Sequence, residues 1–312
     1  MSNELVFRTT KRKNIGVTDI GVVVPTRNRR DLLSGLIENL SECNNPSRLW
    51  VIVVDSSDSS ESLKSTSFGA FTYIHTDIKS AAQQRNIGID FLLKNDVNNI
   101  SIVSFLDDDV RVSVDYFDQI HDAIFSDDET VGISGIANAA GIDAAPRNKF
   151  KALWHSKHQG KITSMGVNVP VLPNSKTRMQ TNWLIGCAAW RKNLLKETRF
   201  QSDFLRNSLF EDVIFSYQMS KLGNMYVYPQ IEIKHLMSNI NRPDFFTHGY
   251  DWAMNRHRLF EIFSEDFKMR NYWIGNGIRV LLEIIRSITK FRIDSYRIAL
   301  GVIMGSIRIL KS

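Results

Sequence analysis

Cysteine is scarce in this 312-residue chain: Cys43 and Cys187 stand far apart with no paired spacing. That excludes a disulfide framework and a zinc ribbon, and a reducing cytoplasm is the expected compartment. Long apolar runs are missing too. No stretch approaches the roughly 20 apolar residues that span a bilayer, and the opening MSNELVFRTTKRKN has no apolar core of the kind a signal peptide needs. The turn after the first β-branched run, PTRNRRD, carries no G-x-G-x-x-G, which argues against a dinucleotide-binding dehydrogenase or methyltransferase. Internal repeats and low-complexity tracts are absent as well.

What is present suffices for a full core. Hydrophobic residues make up 43% of the chain and charged residues 23%, the balance of one large domain or one plus an appendage. The net charge of +6 is unevenly spread. From Lys268 onward nine Lys/Arg face two acids, and the rest of the chain sits near neutrality. The tail, not the body, is thus expected to meet an anionic partner, and lipid headgroups suit it better than nucleic acid because no recognition motif accompanies the charge.

The segment DIGVVVPTRNRRDLLSGLIENL, from Asp19, reads as a strand stopped by Pro25 and followed by a helix with Leu32, Leu33, Leu36, Ile37 and Leu40 at helical period. Two further apolar runs stop abruptly at acids: LWVIVVDSS at Asp55 and ISIVSFLDDD at Asp107. A helix over about 80–94 lies between them. Continuously apolar strands alternating with helices describe an α/β fold with a mostly parallel, doubly covered sheet, whose ligands bind beyond the carboxyl ends of the strands. Thr26, Asp55 and the triplet Asp107, Asp108, Asp109 all fall at such ends. The stretch GISGIANAAGIDAAPRN after Val131 reads as loop, LFEDVIFSYQMSKLG as a helix closed by Gly223, and MYVYPQIEIKH as an edge strand. In the tail, Ile278, Leu281, Leu282, Ile285 and Ile288 form one helical stripe against Arg279, Glu283, Arg286 and Lys290 on another. Leu300, Ile303, Met304 and Ile307 continue the pattern with Arg297 and Arg308 opposite. Basic amphipathic helices of this kind lie in a membrane interface, or pack on a domain with their basic face solvated.

Adjacent carboxylates at the end of a buried strand repel one another unless a cation sits between them, so the triplet suits a divalent metal bridging to phosphate oxygens. Taken alone it equally suits a solvated turn. Glu211 and Asp212 open a helix, where one of them could draw a proton from an attacking hydroxyl, or simply complement the helix dipole. His235 ends its strand either as a metal ligand or as a satisfied histidine. Arg85, in the run RNIG at a helix start, suits phosphate or base contact as well as a helix surface. Asp55 could accept a nucleobase N–H or terminate a turn.

In their order along the chain these segments resemble the family 2 glycosyltransferases with the GT-A fold. VVVPTRNR is similar to that family's first-strand motif, VVDSSDS to its nucleotide-contacting strand, AAQQRNIG to its N-x-G helix start, FLDDDV to its DxD strand and LFEDVIFSYQMSKLG to its ED helix. The likeness covers about residues 19 to 238. It implies a GT-A catalytic domain over 17–240, a basic N-terminal extension over 1–16 and a helical, basic amphipathic region over 241–312. It also implies an inverting transfer of sugar from a nucleotide-diphospho-sugar to the hydroxyl of a glycan or lipid-linked glycan, as in bacterial polysaccharide synthesis, on the cytoplasmic face of the membrane.

Carried over by position, Pro25, Thr26, Arg27, Asp55, Arg85, Asp107 and Asp108 would meet the nucleotide-sugar. Asp109 and His235 would hold Mn2+ or Mg2+, Asp212 would be the base, and Glu211 would support the acceptor side. Arg27 replaces the aromatic usual before Asn28, and Ser56 and Ser57 replace a glycine-containing turn, so the base pocket departs from the pattern. A catalytically silent nucleotide-sugar or glycan-binding module on the same fold is the competing expectation.

Overall fold

The computed structural model describes residues 6–11, 18–59, 67–95, 99–139, 149–172, 177–204, 209–236 and 243–311. Strand β1 (Val6–Lys11) is followed by β2 (Ile20–Thr26), helix α1 (Arg30–Ser41), β3 (Leu49–Asp55), β4 (Ala70–His75) and helix α2 (Ala81–Asn95). Then come β5 (Ile102–Phe105), β6 (Val110–Val112), α3 (Tyr116–Phe125), β7 (Thr130–Ala139), α4 (Lys149–His158), β8 (Met179–Thr181) and β9 (Ala188–Arg191). Helix α5 (Glu211–Met219), β10 (Asn224–His235), α6 (Phe245–Ile262), α7 (Met269–Thr289) and α8 (Ile293–Leu310) complete the order.

All ten strands join one sheet in the order β1-β4-β3-β2-β5-β9-β7-β10-β6, with β8 also on β10. Strands β4, β3, β2 and β5 run parallel, as do β7 and β10, and β9 between the two groups is antiparallel to both. Every residue of β2 and β3 is buried, because helices cover both faces. The chain steps outward from β2 to β3 and β4, then returns to place β5 on the other side of β2. That reversal opens a crevice beyond the strand ends. Pro25 fits a central strand here because it lies two residues past the last β2–β5 pair, Val23 with Phe105. Helix α2 lies close against β2: a Cβ on Gly88 would fall 2.4 Å from Val23 Cγ1, so the glycine sets how deeply the helix, and Arg85 on it, sits.

Four sequence expectations change. Strand β4 lies between β3 and α2, where only a helix was expected. The segment read as loop after Val131 forms β7 over Thr130–Ala139, while 140–148 lie outside the described residues. Its small residues answer to contact: a Cβ on Gly132 would meet Trp190 Cε3 at 2.3 Å, and one on Gly135 would meet the Ile231 carbonyl oxygen at 2.0 Å. Strand β10 is interior, not an edge. It pairs with β7, β6 and β8, and Pro229 falls in the register break between Val227 and Glu232. Helix α5 ends at Met219, so Leu222 lies beyond it and is exposed; Gly223 serves close packing on Val131 and Glu129. The N-terminal extension also supplies a strand, β1, antiparallel on β4.

The C-terminal helices are partly built into this body. Leu259 and Phe260 of α6 and Tyr272 of α7 share a core cluster with Phe210, Val213, Ile214 and Tyr217. The Arg256 guanidinium, fully buried, donates to the Met165 and Tyr272 carbonyls and to Asn276, and lies over the rings of Trp252 and Tyr272. Beyond that junction the packing is one-sided. Ile278, Leu281, Leu282, Ile285 and Ile288 of α7, Phe291 in the turn, and Ile293, Tyr296, Leu300, Ile303, Met304, Ile307 and Leu310 of α8 are all exposed. Among the described residues no helix is long and apolar enough to cross a membrane.

Candidate active site

The crevice is a hollow of roughly 430 Å³ lined by Thr26, Asn28, Arg29, Asp55, Ser57 and neighbouring residues. Gln84, from α2, fixes its floor by donating to the Thr26 carbonyl at 2.8 Å and the Val54 carbonyl at 2.7 Å, which ties the ends of β2 and β3 together. At its mouth Asn28, in the left-handed region at φ 54°, exchanges two hydrogen bonds with Asp58, which Lys79 holds from the far side at 2.8 Å. Neither Pro25, buried in β2, nor Arg27, partly covered, is among the lining residues.

Asp55 sits at one end of the hollow and is 6% exposed. One of its oxygens accepts the Ser57 backbone N–H at 2.8 Å and the Ser57 hydroxyl at 2.5 Å, and the other accepts the Tyr73 hydroxyl at 2.5 Å. Asp108, which is not among the lining residues, has both oxygens engaged: Thr26 Oγ1 donates to one at 2.7 Å and Arg29 to the other at 3.1 Å. Burial pushes its carboxyl up to about 6 against the pull of Thr26 and Arg29. Asp108 thus anchors Thr26 and Arg29, and Arg29 also lies 3.5 Å from Asp109.

Strand pairing explains the next group. Strand β10 runs antiparallel to β6 with His235 opposite Val110, and the Leu236 N–H donates to the Asp109 carbonyl at 2.8 Å. His235 Nε2 therefore comes to 3.3 Å from Asp109 Oδ1. Ligand atoms of Asp107, Asp109 and His235 all lie within 4.8 Å of one another, the one such trio among the described residues. Two carboxylates and an imidazole form a donor set able to hold a divalent metal such as Mn2+ or Mg2+.

Arg85 differs most from what the resemblance implies. Its guanidinium, 3% exposed, is shared between Asp107 at 2.7 Å and Glu211, and it lies over the Phe200 ring. Burial works against that charge, but Glu211 and Asp107 outweigh it and raise the pKa. Arg85 therefore connects two carboxylates from beneath and does not line the hollow. Phe210, at φ 77°, turns the chain sharply so that Glu211 and Asp212 open α5 beside this pair; a bulky residue in the left-handed region is strained, and packing of its ring in the core holds it there. Burial pushes Glu211 up to about 7 and Asp212 up to about 6, with Arg85 drawing both down. Asp212 remains partly open to solvent, and Glu211 Oε2 is buried with no hydrogen-bond partner.

Sequence reasoning did not single out Arg29, Tyr73 or Gln84, and it marked Ser57 only as a departure from the family's turn near the base pocket. Arg29 is one of three arginines in TRNRR, and nothing in that run marks which one turns inward. Tyr73 lies on the strand that was missed. Cys187 enters as well: burial raises its thiol well above the ordinary value, and its sulfur accepts the Asp107 N–H at 3.4 Å.

No family model and no curated protein sequence matches the chain. Solved structures do. The Pyrobaculum calidifontis mannosyltransferase PcManGT, in complex with GDP-Man and Mn2+, superposes with a TM-score of 0.58 at 14% identity, over 96% of this chain and 90% of that one. GalNAc-T7 with UDP, GalNAc and Mn2+ gives 0.57 at 14% identity, over 91% and 55%. S. aureus TarS 1–349 with UDP-GlcNAc gives 0.51 at 13% identity, over 92% of each chain. The chain spans 55% of both GalNAc-T7 and S. aureus TarS, and 65% of one TarS 1–349 structure. At such identities the likeness defines the fold. It is a GT-A fold, mixed α/β with a mostly parallel sheet and flanking helices.

Proposed function

We propose that this chain is an inverting, metal-dependent glycosyltransferase that moves a sugar from a nucleotide-diphospho-sugar to an acceptor hydroxyl. One observation carries the reading: Asp107, Asp109 and His235 form a cation-binding trio at the strand ends of a GT-A sheet, and a carboxylate with a raised pKa, Asp212, opens the helix beside it. Asp55 and Thr26 bound the nucleoside end of the hollow, and Arg29 faces the diphosphate end. A divalent cation on the trio would neutralise charge on the departing diphosphate. Asp212, ionised above about pH 6, takes the acceptor proton as its oxygen bonds to the anomeric carbon. In the same step the bond from the anomeric carbon to the diphosphate oxygen breaks on the opposite face, its electron pair leaving with the diphosphate, and configuration inverts. Glu211 is held by Arg85 on the acceptor side.

The test is transfer or hydrolysis of nucleotide-sugars with Mn2+ by the wild type and by Asp109→Ala and Asp212→Asn. Wild-type protein that binds nucleotide-sugar yet turns none over would make the chain a silent binding module. Wild-type turnover in either variant would remove the role given to that residue.

The α7–α8 face supports a peripheral membrane location. Its apolar side chains are exposed, and Lys290, Arg292, Arg297, Arg308 and Lys311 on the same two helices and their turn suit anionic headgroups, while Arg286 is held by the buried Glu283. Such a location would set the crevice beside a lipid-linked glycan on the cytoplasmic leaflet, in keeping with bacterial surface-polysaccharide assembly. Sedimentation with phosphatidylglycerol vesicles tests it; stable dimers in solution with no vesicle binding would give the face to a second copy instead.

A further inference from the structure

The hydrogen bonds around Asp55 restrict which base the hollow accepts. A carboxylate offers about four acceptor positions, two on each oxygen. Ser57 fills both positions on one oxygen, through its N–H at 2.8 Å and its hydroxyl at 2.5 Å. The direction of that second bond follows from the carboxylate, which only accepts, while a lone pair of Ser57 Oγ accepts the Asn28 N–H at 2.7 Å. Tyr73, 3% exposed, donates to the other oxygen at 2.5 Å. One acceptor position is left on a buried anion that lines the hollow.

We infer that Asp55, with three of its four positions filled by Ser57 and Tyr73, selects a pyrimidine-2,4-dione, uracil or thymine, over guanine. The inference rests on the nucleotide-sugar reading above and names the donor class within it. The N3–H of a dione is a single donor and matches the single free position. Guanine presents N1–H and the 2-amino group side by side, and a carboxylate recognises them by accepting on both oxygens. With one position open, one guanine donor would be buried unpaired, a penalty of about tenfold or more in affinity. Cytosine offers a lone pair at N3, which the anion repels. Tyr73 and Ser57 act through Asp55 and are positioning residues. The Ser57 donors therefore close one oxygen to guanine, and Tyr73 leaves a single position on the other, without either side chain needing to touch the base.

The test is calorimetric titration of the full chain, with Mn2+, against UDP, dTDP, GDP and CDP, repeated with Tyr73→Phe and Ser57→Ala. The wild type should bind UDP, dTDP or both at least about tenfold more tightly than GDP or CDP, and the UDP and dTDP arms report which dione is used. Ser57→Ala frees a position on the oxygen that is otherwise full and should narrow the dione-to-guanine ratio, Tyr73→Phe frees only a second position on the oxygen already open and should leave the ratio unchanged, and a purely structural defect would lower all affinities together. Far-ultraviolet circular dichroism identifies a variant that fails to fold, and Ser57→Gly then carries the comparison. GDP binding as tightly as UDP in the wild type, or a ratio unchanged on loss of the Ser57 hydroxyl in a folded variant, would overturn the inference and leave the glycosyltransferase reading intact. Binding of no nucleotide would remove both.

Discussion

The acidic crevice and the α7–α8 face break the rule of apolar inside and polar outside in opposite directions. In the crevice Asp55, Asp108, Asp109, Arg85 and Glu211 are buried, while on the helical face Leu281, Ile288 and Phe291 stand in solvent, Phe291 at 94% exposure. Burying an ion costs several kcal/mol unless partners repay it, and an exposed apolar patch forgoes burial that packing would have supplied. Each region is therefore incomplete in its own way. On the proposed function a metal cation and a diphosphate would complete the crevice beyond what Arg29 and Arg85 supply, and hydrocarbon would complete the face.

Substitutions that separate the two regions sharpen this contrast. The largest effect belongs to Asp212→Asn, which should lower transfer by roughly 10² to 10⁴ while nucleotide binding and vesicle binding stay unchanged, as measured by steady-state assay, titration and sedimentation. Next is Arg85→Met. It strands Asp107 and Glu211 without their cation and should cost about 3–5 kcal/mol of stability by urea unfolding, and adding Glu211→Gln should recover part of that loss. On the helical face, Leu281→Glu with Ile285→Glu should weaken binding to anionic vesicles by about tenfold or more with turnover on a soluble acceptor retained, since both side chains are exposed and neither joins the core. Loss of turnover in that pair would mean the two regions are coupled. The mildest test is pH. In the proposed mechanism Asp212 acts as the anion, and burial raises its pKa to about 6, so turnover should hold at neutral pH and fall by about tenfold per unit once the pH drops below that value. A flat profile between pH 5 and 7 would place the limiting proton elsewhere.

Legibility in the sequence followed the same divide. The placement of Asp55 and the Asp107–Asp109 triplet at strand ends could be read because apolar runs stop at them, and parallel strands bring their ends together. The tail stripes could be read because their period is helical. Strand β7 could not: its Gly132 and Gly135 are small because Trp190 and the Ile231 carbonyl press against them, a demand set by residues about 60 and 95 positions away in sequence. Strand β10 read as an edge strand, and only the register break between Val227 and Glu232 explains how Pro229 sits inside the sheet. Arg85 was found but its partners were not, since nothing local ties it to Glu211. The junction through Arg256, Met165 and Asn276, which makes the first part of the C-terminal region integral to the body, likewise joins three segments with no shared motif.

Gln84 has a bearing on motion. Because its amide spans the carbonyls of Thr26 and Val54, and the Ser56 and Thr76 N–H groups close the same corner on Thr26 and Asp55, this jaw of the crevice is set before any ligand arrives. Amide exchange at Ser56 and Thr76 should be slow in the empty protein and little changed by nucleotide. On this side of the crevice, then, the backbone forms a fixed jaw against which a ligand closes.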